Sequence, residues 1–266
     1  MSRLLKLVFG TFRAPPGRGR IMLGFAYGLI CHAIFTAAVI AMIVAMFFGM
    51  SRSFGTLPPP WATLANIALI VQFPLMHSIL LTPKWGKLLL RLAPRSHGQT
   101  LSTTTYAIVA SLQLLALFTL WTPSGIIWWQ AEGAAFAVMC CLYGSAWALL
   151  IKASYDAGAE VQSGALGWMS LVQNIKPVFP DMPTTGLFAW IRQPIYVSFA
   201  LTLWTVPVWT PDQLLLAVCL TTYCLAAPKL KERRFEQRYG ARFVQYRDVT
   251  PYAVPKIPWS GKPKAR

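Results

Sequence analysis

Acidic residues are scarce in this chain: eight Asp and Glu stand against 24 Lys and Arg in 266 residues. Charge of either sign is sparse too, at 12% of residues, where a soluble domain carries about a quarter. That shortage excludes an ordinary water-soluble globule. No G-x-G-x-x-G and no Walker sequence occurs, which removes the dinucleotide-binding and P-loop classes. No metal site is expected, because the three histidines and five cysteines follow no metal-ligand spacing. Cys31, Cys140, Cys141, Cys219 and Cys224 all lie inside apolar runs and are expected as free, buried thiols. No nucleophile–base–acid set stands out.

What the chain has instead is apolar length. Hydrophobic residues make up 56% of it, in runs long enough to cross a bilayer, which takes about 20 residues. The runs are continuous rather than alternating, so helices are expected and not strands. The sequence predicts an all-α integral membrane protein with about six transmembrane helices. Four of these fall at 21–50, 61–82, 101–121 and 132–151. The last two form a C-terminal helical hairpin, with arms at about 194–209 and up to 227, broken at Thr210 and Pro211. Around them lie a basic lead (1–20), a basic loop (83–100), a long polar loop (152–191) and a basic tail (259–266). The lead is expected as a surface helix or a disordered tail. A loop as long as 152–191 is expected to be functional or disordered rather than idle.

Lys and Arg cluster in the lead, the 83–100 loop, the 152–193 segment and the chain from Lys229 onward, and of the 24 only Arg52 falls elsewhere. Six crossings with both termini cytoplasmic account for that bias. The net charge of +16 is then a surface for anionic lipid headgroups, and nucleic acid has no role as partner.

Two intramembrane histidines are candidate sites. His32 is expected to bond a neighbouring helix. His77 is either a packed helix-end histidine or a polar group beside a substrate. The densest chemistry lies in 192–258. A hairpin brings its two ends together, so Arg192, Tyr196 and Glu232 are expected as neighbours although about 40 residues separate them. A cation and an anion at one mouth suit a zwitterionic ligand; equally, they suit a mutual salt bridge.

The order of motifs here is Arg192-Gln193-Pro194-Ile195-Tyr196-Val197-Ser198, a hydrophobic hairpin, Lys231-Glu232, Tyr239-Gly240-Ala241-Arg242-Phe243-Val244-Gln245-Tyr246, and Thr250-Pro251-Tyr252-Ala253-Val254-Pro255. This resembles the C-terminal signature of the isoprenylcysteine carboxyl methyltransferase-like family of membrane enzymes, over about residues 160–258. Upstream, Met76-His77-Ser78 and the string from Leu117 to Pro123 look like the methanethiol S-methyltransferase branch of that family, as does Trp204 to Thr210 in the hairpin. Against the family pattern, Gln193 stands in place of a histidine, Ser198 of a glycine and Lys231 of a glutamate.

The resemblance implies a small helical bundle that encloses S-adenosyl-L-methionine (SAM) near the cytoplasmic face and transfers its methyl group. The acceptor would be a small thiol or a lipophilic molecule; alternatives are a lipid or prenyl-cysteine acceptor, or a non-catalytic scaffold keeping the fold. It also implies that Arg192, Gln193, Pro194, Tyr196, Glu232, Tyr239 and Tyr246 bind the cofactor. Arg192 would hold the cofactor carboxylate or favour a thiolate, Glu232 the ammonium or ribose, and the tyrosines the adenine. His77 would face the acceptor, so Arg192 and His77 are the catalytic candidates. The expected setting is a bacterial inner membrane, crossed several times.

Overall fold

A computed structural model describes residues 3–94 and 96–255. Arg95, the first two residues of the lead and everything from Lys256 on, including the basic tail at 259–266, lie outside the described residues. The protein is an all-α membrane protein. In chain order it forms α1 (Arg3–Thr11), α2 (Arg18–Phe47), α3 (Trp61–Ile79), α4 (Pro83–Leu92), α5 (Gly98–Leu120), β1 (Trp129–Gln130), α6 (Gly133–Asp156), α7 (Ala159–Gln162) and α8 (Ala165–Gln173). A 3-10 turn follows (Gly186–Ala189), then α9 (Pro194–Trp204), β2 (Val208–Trp209), α10 (Pro211–Tyr239) and α11 (Ala241–Val249). The two strands are two residues each and pair antiparallel.

Five of these helices, α2, α3, α5, α6 and α10, are long and apolar enough to cross a membrane. The expected sixth, α9, has 11 residues. At about 1.5 Å per residue it spans roughly half of a ~30 Å hydrocarbon core. The first arm of the hairpin therefore reaches the far end only with the extended segment that follows it. Residues 205–210 complete the arm, and β2 pairs there with β1.

That far end is riveted by polar contacts. Trp121 Nε1 donates to Asp212 Oδ1 at 3.1 Å, and the Ser124 amide and hydroxyl donate to Asp212 Oδ2 at 2.9 and 2.5 Å. Thr210 caps α10 by accepting from the Gln213 amide at 2.9 Å, and its hydroxyl donates to the Gly49 carbonyl at 2.5 Å. Gln213 Nε2 donates to the Leu203 carbonyl at 2.8 Å, which ties the two hairpin arms together. Trp121, Leu203, Leu216 and Leu220 fill the core beside these bonds and are fully buried.

The other end differs more from the sequence reading. Residues 83–92 form α4 rather than a loop. The lead forms α1, held to α8 by Gln173 Nε2 donating to the Leu7 carbonyl at 2.9 Å and to α7 by an Arg3–Glu160 ion pair of 3.4 Å. The stretch 152–191 contains α8, whose residues from Ala165 to Val172 are all buried. Nine residues are too few for a span, so hydropathy gives no sign of α8; packing against α2 and α5 is what buries it. Gly24 and Gly28 of α2 make room: a Cβ on Gly28 would lie 2.6 Å from the Trp168 ring. His32 accepts a hydrogen bond from Trp168 Nε1 at 3.1 Å.

α10 continues through Pro228 to Tyr239, so the return arm of the hairpin runs on well past 227 as one element. It stops at Gly240, whose φ of 53° is one a side chain rarely adopts. α11 then turns back toward the start of α9.

Candidate active site at the base of the hairpin

Glu232 sits on α10 just past its apolar half, and Arg192 two residues before α9 begins. Closing the hairpin sets them side by side. Arg192 Nε donates to Glu232 Oε1 at 2.9 Å and Nη2 to Oε2 at 3.4 Å, a forked pair. The side chains keep 11% and 15% of their exposure. The free edge of the guanidinium is used as well: Nη1 donates to the carbonyls of Arg247 and Thr250 at 3.0 and 2.5 Å. The Tyr252 ring lies 5.5 Å from the guanidinium carbon.

Gln193 is almost fully buried, at 2%. Its Nε2 donates to Glu232 Oε1 at 2.6 Å, and its Oε1 accepts from Lys231 Nζ at 3.1 Å. A relay results: Lys231 to Gln193 to Glu232, with Arg192 on the far side. The segment after α11 straps this arrangement. The Arg192 amide donates to the Pro251 carbonyl at 2.9 Å, and the Gln193 amide to the Tyr252 carbonyl at 3.1 Å. Pro194 opens α9 at the position where a missing amide hydrogen is harmless.

Around the relay is a small cleft lined by Phe188, Arg192, Gln193, Lys231, Glu232 and Tyr246, with Pro183, Phe235 and Phe243 beside them. Its free volume is about 10 Å³, space for about one water. The Tyr246 hydroxyl donates to the Phe188 carbonyl at 2.6 Å. Burial pushes that hydroxyl up to about 12, with Arg192 opposing the rise and Glu232 adding to it. Tyr246 thus stays protonated and pins the 3-10 turn to α11.

A second, larger cavity of about 240 Å³ lies between α9 and α10. It is lined by Tyr196, Val197, Ala200, Leu201, Trp204 and Leu225, among others, and shares Gln193 with the cleft.

The candidates named from sequence separate into three groups. Arg192, Gln193, Glu232 and Tyr246 line the cleft together. Tyr196 stands at the partition: it lines the larger cavity, and its ring centroid is 5.7 Å from Lys231 Nζ. Tyr239 lines neither cavity; it packs edge-on to Phe235 at 5.5 Å and under the guanidiniums of Arg238 and Arg242. His77 also lines neither. It lies between the rings of Phe73 and Tyr106, each 5.2 Å away, and its carbonyl accepts from the Tyr106 hydroxyl at 3.2 Å. Its Nδ1 is buried without a partner among the described residues.

Sequence reasoning missed Phe188 and Phe235 as cleft residues and marked Lys231 only as a departure from the family pattern. Helical spacing offered a signal for two of them, since Lys231 and Phe235 are four apart on α10 and share a face. Phe188 gave none, because its place depends on how 186–189 folds against α11.

The chain is similar to methanethiol S-methyltransferases over most of its length. It is 25% identical over 238 residues to the methanethiol S-methyltransferase of Pseudomonas sp. (strain GM41(2012)), covering 88% of this chain and 90% of that one. Against the Mycobacterium tuberculosis (strain ATCC 25618 / H37Rv) protein of the same name it is 25% identical over 261 residues, 97% and 98% of the two chains. Methanethiol S-methyltransferase 2 of Bradyrhizobium diazoefficiens is 27% identical over 200 residues, 74% of each. No family model matches the chain, and no solved structure matches it.

Proposed function

We propose that this protein is a SAM-dependent methyltransferase of a bacterial inner membrane that methylates a small thiol at the cytoplasmic mouth of the α9–α10 hairpin. The observation that carries this reading is the buried Arg192–Gln193–Glu232 constellation. It occurs in a chain similar to methanethiol S-methyltransferases over 97% of its length.

The donor set fits the cofactor's chemistry. Arg192 offers a two-pronged site for its carboxylate. Glu232 is an acceptor for its ammonium or ribose hydroxyls. Phe188, Phe235 and Tyr196 are flat surfaces for adenine or for a sulfonium, which aromatic rings attract as they do other cations. The cleft as it stands holds about 10 Å³, so binding requires the Arg192–Glu232 fork to open and hand its two partners to the ligand.

Bound there, SAM supplies an activated methyl group, and the protein needs to do little covalent work. Holding an acceptor sulfur in line, at about 3–3.5 Å from the reacting carbon, accounts for much of the rate. The strap at 250–252 and the aromatic walls exclude water. Tyr196 stands between the polar cleft and the apolar cavity of about 240 Å³, a placement that suits an uncharged thiol arriving from the membrane. Its C-terminal motifs, in this reading, are those of isoprenylcysteine carboxyl methyltransferase-like enzymes.

The test is calorimetric binding of S-adenosylhomocysteine to the purified protein in detergent. Saturable binding is expected, weakened at least about tenfold, or about 1.4 kcal/mol, in both Arg192→Ala and Glu232→Gln. No binding by folded wild-type protein rejects the reading.

A further inference from the structure

Lys231 lines the cleft and has no part in the proposal so far. Its Nζ lies 5.5 Å from the Phe235 ring centroid, 5.6 Å from Phe188 and 5.7 Å from Tyr196. Three rings from α10, the 3-10 turn and α9 thus enclose one nitrogen. Its hydrogen-bond partner is not a carboxylate but the neutral Gln193 Oε1, at 3.1 Å. Glu232, its neighbour in sequence, faces Arg192 and the other end of the Gln193 amide instead.

This environment differs from that of a structural lysine. A direct carboxylate contact would fix the proton on the nitrogen. An amide oxygen accepts more strongly from an ammonium than from a neutral amine, but it carries no charge to hold the proton there and can accept from either form. Enclosure away from water eases loss of a proton from the ammonium most, the Glu232 carboxylate opposes that loss, and the Arg234 guanidinium adds to it. The charged and titratable groups around Lys231 are Glu232 and Arg234 on its own helix, Arg192 before α9, Tyr196 on α9 and Tyr246 on α11. A sulfonium held by the same rings would be one more cation.

Thiol methylation needs a proton acceptor, because the reactive species is the thiolate and a free thiol has a pKa of about 8.5. The other groups lining the cleft do not serve. Arg192 cannot lose a proton and Gln193 does not titrate. Glu232 keeps Gln193 and, in the proposed complex, takes the cofactor's ammonium or ribose hydroxyls in place of Arg192, and the Tyr246 hydroxyl is already donating to Phe188.

We propose that Lys231, as the neutral amine, takes the proton of the thiol acceptor, an assignment that rests on the methyltransferase reading above. In the step, the S–H proton passes to Nζ. The acceptor sulfur forms its bond to the methyl carbon as that carbon's bond to the donor sulfur breaks. A thioether and neutral S-adenosylhomocysteine result, and the ammonium then returns its proton to solvent. Lys231 and Gln193 act as a unit: the amide, fixed at one end by Glu232, aims its oxygen at the lysine and holds the nitrogen in the cage.

Two measurements test this. The first needs no turnover. SAM binding is followed by calorimetry in buffers of different ionisation enthalpy, from pH 6 to 9. Wild-type protein is expected to release a proton within that range, and Lys231→Met is not. The second is kinetic. Lys231→Arg keeps the positive charge but cannot deprotonate. It is expected to bind S-adenosylhomocysteine within threefold of wild type, yet to lose about 100-fold or more in thiol turnover at pH 7, a usual effect of a general base. Lys231→Ala is expected to regain activity with added methylamine. Equal proton release by wild type and Lys231→Met, or Lys231→Arg turnover within threefold of wild type, overturns the assignment. Failure of the wild type to bind S-adenosylhomocysteine overturns the methyltransferase reading as well.

Discussion

Glu232 satisfies two neighbours at once, and its removal is not equivalent to its neutralisation. Glu232→Ala leaves the Arg192 guanidinium with only backbone carbonyls for partners in a site where the side chain is 11% exposed. Breaking a buried pair from one side costs about 3–5 kcal/mol. Glu232→Gln keeps an acceptor oxygen and is expected to lose less than half as much. Denaturant unfolding in detergent of the two variants checks the order. Gln193 gives a second prediction. A neutral imidazole has one donor and one acceptor, enough to link Lys231 to Glu232, so Gln193→His is expected to bind S-adenosylhomocysteine within about fivefold of wild type. Gln193→Leu, which severs the relay, is expected to lose binding. The sequence places Arg192 and Glu232 together because a hairpin must return to its starting face. It leaves open whether they pair or wait for a ligand, since charge and spacing are the same in either case. In the structure they pair, and the pair lines a small cleft. Lys231 is visible in sequence as a departure from the family's glutamate, but nothing local shows that three rings enclose it.

Among the elements, α10 and α8 teach opposite lessons. α10 is legible because its signals are local: a Thr-Pro start, an apolar stretch, and Gly240 at the stop. Pro228 splits it on paper, yet a proline interrupts the ladder by one bond and the helix runs on. α8 is illegible because its burial is wholly a property of its neighbours. Gly24 and Gly28 on α2 face Val172 and Trp168, the small-residue spacing that lets helices approach closely in membranes. Gly28→Val is therefore expected to displace Trp168, to break its bond to His32, and to cost about 1–3 kcal/mol as an overpacked core does. Tryptophan fluorescence and thermal unfolding in detergent report the two effects. His77 belongs to this scale too. Its ring packs between an α3 and an α5 aromatic and lines neither cavity.

For the whole molecule, charge sets the orientation. The acid-poor ends are unequal: α1, α4, α11 and the second half of α10 gather basic residues at the cleft end, while Arg52 stands at the hairpin-turn end near Phe48, 5.3 Å from its ring. By the positive-inside rule, the cleft end is the one expected to face the cytoplasm. Single cysteines in place of Arg52 and Arg242, in a background without reactive native thiols, are expected to label from opposite sides of sealed inverted vesicles, with Arg242→Cys outermost. Labelling of both from one side would reject the arrangement. Hydropathy makes the five long helices legible from sequence, and the hairpin's first arm as well at about 194–209; what it does not show is the make-up of that arm, an 11-residue helix followed by an extended segment.

In the proposed reading, the forked Arg192–Glu232 contact is both handle and latch. The groups that would grip a ligand are the ones that pair without it, so the binding-competent state would be a minority and the apparent affinity would fall by its fraction. At high ligand concentration the observed association rate should level off at the rate of unlatching. Glu232→Gln should then raise that ceiling while it speeds departure, so that a single substitution makes the site quicker to fill and poorer at holding what fills it.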